Sequence, residues 1–134
     1  MLSQTVGYAI SALGHLAGRE QPMFVRDLAE AAKIPPSYLA KIVNTLARKG
    51  YLNTQRGLNG GVTLARPAEE INLLDLCEAF DDPLVRRQCM MGSADCSNAR
   101  SCPAHKFWGE ERERVMGFLR QTTLRDIAPK PAPR

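Results

Sequence analysis

Apolar residues recur at helical spacing in several separate stretches of the chain. Val6, Ala9, Ile10, Leu13 and Ala17 share one side of a predicted first helix, which Ser3 or Thr5 can cap and which ends around Gly18. Val25 to Ala32 reads as a short second helix with Leu28, Ala31 and Ala32 inward. Lys33-Ile34-Pro35-Pro36 breaks it, because a residue before proline is pushed out of the α region. Pro36 or Ser37 then opens a third helix that runs to about Lys49 and stops at Gly50. Leu39, Ile42, Val43 and Leu46 form its apolar stripe, which leaves Ser37, Tyr38, Ala40, Lys41, Asn44, Thr45 and Arg48 outward or flanking. Two short helices around a tight turn, the second with a polar and basic outer face, describe a helix-turn-helix. The second helix of such a pair enters the major groove of DNA with its N-terminal residues on base edges.

After Gly50 the period changes. Residues 51–65 hold two short strand-like runs around Arg56-Gly57-Leu58-Asn59-Gly60-Gly61, the signature of a hairpin. A hairpin directly after a helix-turn-helix is a wing, and Arg56, Asn59 and Gly60 fall at its tip. Arg56 is then placed to reach the negative potential of a minor groove. Asn72 can cap a fourth helix, Leu73 to Phe80, whose stripe Leu73, Leu76, Cys77 and Phe80 makes Cys77 a core residue. Residues from Lys106 to about Gln121 form a longer helix, apolar at both ends (Phe107, Trp108; Val115, Met116, Phe118, Leu119). Its middle, Glu110 to Arg114, is charged throughout, with Glu110 and Arg114 at i, i+4. More apolar surface than a small domain needs on a terminal helix predicts a dimer contact. The fold class expected is mostly α with a small β-hairpin: a winged helix-turn-helix plus a long C-terminal dimerisation helix.

Charge sharpens this picture. Residues 25–66 carry seven Lys/Arg against Asp27 and Glu30, a net of +5, while the rest of the 134-residue chain nets −1. The excess positive charge belongs to the predicted DNA-binding segment, as polyanion binding requires. Hydrophobic content of 44% and charged content of 24% are ordinary for a globular domain. No apolar run is long enough to span a bilayer, and the first residues do not read as a secretory signal, so a cytoplasmic protein with reduced thiols is expected.

In that setting the cysteines matter. Cys89, Cys96 and Cys102, followed by His105, have the spacing C-x6-C-x5-C-x2-H. The residues between them (Gly92, Ser93, Asp95, Ser97, Asn98, Ser101, Pro103) are turn formers that supply no core. An unpaired cysteine normally behaves as a small buried hydrophobe, so three on a polar loop point instead to a metal or iron–sulfur site. Spacing alone does not separate an iron–sulfur cluster from structural zinc, which accepts the same donors. A thiol/disulfide switch without metal is a further reading of these residues.

The chain resembles the Rrf-type bacterial transcription regulators, a family that includes IscR-type cluster regulators and NsrR-type repressors. The resemblance covers nearly the whole chain: Tyr8-Ala9 in the first helix, Pro36-Ser-Tyr-Leu-Ala-Lys-Ile-Val43, Arg56-Gly57-x-x-Gly60-Gly61, the three loop cysteines, and Phe118-Leu-x-x-Thr122-Thr-Leu124. It implies a homodimeric winged-helix regulator; with the predicted recognition helix and wing, the residues expected to contact a double-stranded DNA operator are Ser37, Tyr38, Lys41, Asn44, Arg48, Arg56, Asn59 and Gly60. It also implies a 2Fe–2S cluster on Cys89, Cys96, Cys102 and His105, with a 4Fe–4S cluster or zinc as the alternatives. Some NsrR-type members take a fourth ligand from an Asp of the partner's first helix; Gly7 stands at the matching position and cannot ligate, which favours His105. Two departures are visible. Six residues rather than five separate Cys89 from Cys96, and Ala40 stands where IscR-type proteins carry a Glu implicated in sequence choice.

The division expected is a DNA-binding domain over 1–80, a cluster-binding loop over 81–105, a dimerisation helix over 106–127 and a disordered tail over 128–134. No nucleophile–base pair, phosphate-cradling loop or acid pair is evident, so neither an enzyme nor a small-molecule substrate is expected. The expected mechanism is that the state of the cluster changes the order of the 89–105 loop, and through the adjoining helix the spacing of the two recognition helices.

Overall fold

The computed structural model describes residues 2–86 and 103–128. Helix α1, Gln4–Leu16, starts where Ser3 accepts a hydrogen bond from the Val6 N–H, and it is followed by Gly18 at φ +80°. Helix α2, Val25–Ala32, ends on Lys33 in the left-handed conformation, which lets the Ile34 N–H reach back to the Ala29 carbonyl. The turn delivers Ile34 to the core and Pro35-Pro36 to the start of α3, Pro36–Arg48. Leu39, Ile42, Val43 and Leu46 are buried, as the periodicity requires. In α2 the inward face differs from the expected one: Leu28 and Ala29 are buried while Ala31 is exposed. At about 100° per residue, positions 28, 29 and 32 share one face and 31 falls beside it.

The hairpin pairs β1, Leu52–Gln55, with β2, Gly61–Leu64, antiparallel in the register Leu52 to Leu64 and Gln55 to Gly61. An isolated bridge between Met23 and Val62 adds a third strand segment on the outer side of β2, with Val62 N–H donating to the Met23 carbonyl at 2.7 Å. Gly61 permits this approach, since a Cβ there would lie 2.5 Å from the Met23 oxygen and its φ is +131°. The wing is thus fastened to the segment that leads into α2. Helix α4, Leu73–Ala79, is capped as expected by Asn72 in a reciprocal box with Asp75.

Helix α5 runs Pro103–Gln121, so it begins before Lys106 and takes His105 into its first turn. Trp108, Arg112, Val115 and Leu119 form its inner stripe, with Leu119 buried and the others half-buried. Arg112 is therefore not a solvated member of the charged run. Its Nε donates to the Leu84 carbonyl at 3.1 Å and its Nη2 to the Val85 carbonyl at 3.2 Å. Arg114 pairs with Glu111, at i−3, at 2.5 Å; the two positions that flank one turn are near-equivalent neighbours.

A short final helix not anticipated from periodicity, α6, Leu124–Ile127, packs back on the domain. Asn72 and Thr123 form a bridge, Leu73 N–H donates to the Thr122 carbonyl, and Leu124 N–H donates to the Ile71 carbonyl. Leu124 is fully buried, which gives the Thr122-Thr-Leu124 stretch its structural meaning. Residues 129–134, most of the expected tail, lie outside the described residues.

Candidate nucleic-acid interface and metal-binding loop

One face of α3 and the wing enclose an open groove of about 690 Å³ between them, and the start of α2 forms its third wall. Asn44 and Arg56, both anticipated, line it together with Ala40. So do Arg26, Thr54 and Gln55, which periodicity did not single out; the basic bias of residues 25–66 was the available signal for Arg26. Ser37, Lys41 and Arg48 are exposed along α3, with Arg48 Nη2 at 3.5 Å from Thr45 Oγ1. Asn59 is exposed at the wing tip beside Arg56.

Two anticipated contact residues are placed differently from the rest. Tyr38 is half-buried: its ring packs edge-on against Tyr8 at 5.4 Å, and its hydroxyl hydrogen-bonds Thr5 Oγ1. Its role in the domain is to join the recognition helix to α1. Gly60 is buried, and a Cβ there would lie 2.8 Å from both the Arg56 carbonyl carbon and the Gly57 oxygen. Its N–H donates to the Gly57 carbonyl at 2.9 Å. Gly60 shapes the tip rather than touching a ligand through a side chain.

Cys89, Cys96 and Cys102 lie outside the described residues, while His105 is half-buried in the first turn of α5. Three thiolates and an imidazole suit an iron–sulfur cluster or zinc, and the helix beginning at Pro103 carries His105 in its first turn. Among the described residues no three His, Cys, Asp or Glu side chains converge as a metal site. Cys77 belongs to the core: it is fully buried, and burial, aided by the nearby carboxylates of Asp82 and Glu78, pushes its thiol up to about 11. A thiol so held is a poor metal ligand and a poor nucleophile.

Polar contacts hold the residues on either side of 87–102. Asp82, only 1% exposed, accepts hydrogen bonds from the Ser3 N–H at 2.8 Å and the Leu84 N–H at 2.9 Å. Its carboxylate thus ties the start of α1 to the turn Pro83–Val85, and Arg112 fastens the far side of that turn to α5. The described segments on both sides of residues 87–102 are thus tied to α5, the first through Arg112 and the second as the start of the helix itself.

A helix-turn-helix with a braced wing and a basic outer face defines a winged-helix transcription regulator, a class that binds DNA rather than one that catalyses a reaction. Residues 2–130 match the Rrf2 family, described as iron-dependent transcriptional regulators, and the chain belongs to that family. Protein rrf2 of Nitratidesulfovibrio vulgaris is 30% identical over 110 residues, covering 82% of this chain and 73% of the relative. The transcriptional regulator IscR of Serratia proteamaculans is 30% identical over 122 residues, covering 90% and 74%. The fold is shared with CymR, described as the global cysteine regulator of B. subtilis, at a TM-score of 0.77 and 22% identity over 96% of this chain and 95% of that one. No described helix is long and apolar enough to cross a membrane.

Proposed function

We propose that this regulator binds its operator as a homodimer and senses redox or iron–sulfur status, or nitric oxide, through a 2Fe–2S cluster on Cys89, Cys96, Cys102 and His105. The observation that carries this reading is the donor set itself, three cysteines on a polar stretch followed by a histidine held at the helix start. When bound, such a cluster supplies a centre that gains or loses electrons and is destroyed by oxidants or nitric oxide. The protein's part is mechanical. His105 and Arg112 sit on the same helix, so a change at the ligand loop acts on α5 from both of the loop's ends.

The dimer contact assigned to α5 is supported by its outer stripe. Phe107, Glu111, Arg114 and Phe118 follow one another at spacings of four, three and four residues, and the two phenylalanines are 55% and 61% exposed. The stripe is self-complementary when two copies run antiparallel, with Phe107 against Phe118 and Glu111 against Arg114. A DNA-binding unit over 1–80, a ligand loop over 81–105 and a dimerisation segment over 106–127 then share one chain. On the DNA, Ser37, Lys41, Asn44 and Arg48 lie towards the major groove and Arg56 and Asn59 towards the adjacent minor groove.

Anaerobic purification tests the ligand set. Brown protein with iron and acid-labile sulfide, lost on Ser substitution at Cys89, Cys96 or Cys102 and kept in Cys77→Ser, is the expected result. Colourless protein containing zinc would replace the cluster by a structural metal. Metal-free protein whose loop cysteines pair on oxidation would make the site a thiol switch.

A further inference from the structure

Leu58 is 98% exposed, the most exposed large apolar side chain among the described residues. Scattered surface leucines are ordinary, but this one occupies the point of the wing between the exposed Arg56 and Asn59. Its support is stiff. Gly57 at φ +105° reverses the chain, the Gly60 N–H closes the turn on the Gly57 carbonyl, and Gly60 is packed so closely that no Cβ fits. Below the tip, the β1–β2 ladder and the Met23 bridge hold the hairpin to the domain. The tip therefore presents an apolar side chain on a braced arm, beside a cation, within the segment that carries the net +5.

We propose that Leu58 is an apolar wedge for the DNA minor groove, seated against sugar C–H surface and pressed into a base step, while Arg56 holds the flanking phosphates or groove floor. This rests on the DNA-binding reading above. Braced arms that insert an apolar side chain between base steps unstack them and kink the duplex, a cost offset by the protein surface the bend brings into contact. Arg56 supplies the charge that draws the tip into the groove, and Leu58 has the size and apolar surface to lie against the sugar C–H walls once groove water is displaced. Pyrimidine–purine steps unstack most readily, so the site under the wing should favour them.

The test uses the full-length protein and the duplex it enriches most strongly from a randomised pool, with 2-aminopurine placed at steps under the wing. Leu58→Ala is expected to weaken binding roughly tenfold per bound subunit, the scale of one leucine's burial, and to leave the salt dependence unchanged because no counterion is involved. It should also abolish the rise in 2-aminopurine fluorescence on binding, and Leu58→Met should restore both. Arg56→Ala, by contrast, should flatten the salt slope by about one. Equal affinity and fluorescence for wild type and Leu58→Ala would overturn the wedge while leaving DNA binding intact. So would a Leu58→Ala protein whose weaker binding tracks dissociation of the dimer in sedimentation, since Leu58 would then be a contact between copies. Failure of the wild type to enrich any duplex would overturn the DNA-binding reading itself, and the wedge with it.

Discussion

Replacing Asp82 by alanine should be among the most damaging single changes outside the apolar core. The carboxylate is 1% exposed and accepts from two backbone N–H groups, those of Ser3 at 2.8 Å and Leu84 at 2.9 Å. Hydrogen bonds to a charged acceptor contribute about 1.5–3 kcal/mol each, and removing the acceptor leaves both donors without a partner. Ser3 is half-buried, so water recovers part of its loss, whereas Leu84 is buried and recovers less. The desolvation cost of the carboxylate itself is relieved in the variant, which brings the expected loss to about 2–4 kcal/mol. That is a large share of the roughly 5–15 kcal/mol that holds a domain folded. Asp82→Asn keeps the shape and one acceptor oxygen but turns an NH2 group towards one of the donors, so it should cost less, about 1–2 kcal/mol. Equilibrium urea unfolding measures both, and hydrogen exchange at the Leu84 amide locates the damage. If Asp82→Ala unfolded within about 0.5 kcal/mol of wild type, the carboxylate would not be the clamp described here.

Gly61→Ala should break the bridge that holds β2 to Met23, because the new Cβ would meet the Met23 carbonyl at 2.5 Å in a backbone conformation that L side chains rarely adopt. DNA affinity should fall at least tenfold with α-helical circular dichroism retained, and unchanged affinity would contradict the brace. Cys77 has its folded thiol raised to about 11 against an ordinary 9.0, so the folded state keeps the proton that the unfolded chain gives up. Its contribution is therefore whole below pH 9 and lost as pH rises towards 11, by up to about 1.4 kcal/mol per unit. Urea midpoints of wild type and Cys77→Ala should converge over that window, and parallel curves would refute it. Glu111→Arg should shift sedimentation towards monomer, and Glu111→Arg with Arg114→Glu should restore the dimer; a double variant as weak as the single one would reject antiparallel pairing of α5.

The helix-turn-helix and wing were legible because their signals are local. Pro35-Pro36, Gly50 and the Gly60-Gly61 pair punctuate the chain, and the apolar stripe of α3 has a single solution. Asn72 announced α4 by a cap whose partner, Asp75, lies within one turn. Roles that depend on distant partners leave no such local signal. Alanine carries no polar signal either way, so the sequence does not fix whether Ala29 or Ala31 faces inward. Met23 pairs with Val62 as an isolated bridge, too short to leave an alternating pattern. The place of Tyr38 in α3 does not reveal that Tyr8 and Thr5 approach it from α1, so its link between the two helices shows only in the fold. Leu124 closes the core from a helix of four residues, below the length at which periodicity has meaning.

The run Glu-Glu-Arg-Glu-Arg at 110–114 has the composition of a freely exchangeable surface, yet one of its members is fixed in kind. The carbonyls of Leu84 and Val85 are met by a single planar fork at Arg112, one through Nε and one through Nη2. A lysine carries one nitrogen on a flexible stem and cannot span two acceptors in that plane, so charge conservation would not conserve the contact. Saturation mutagenesis of α5 should then return an uneven profile: broad tolerance at 110 and 113, and at 112 an intolerance of lysine as sharp as that of a core position towards a polar residue. Divergence among relatives would be expected to stall at this one basic site while its charged neighbours drift.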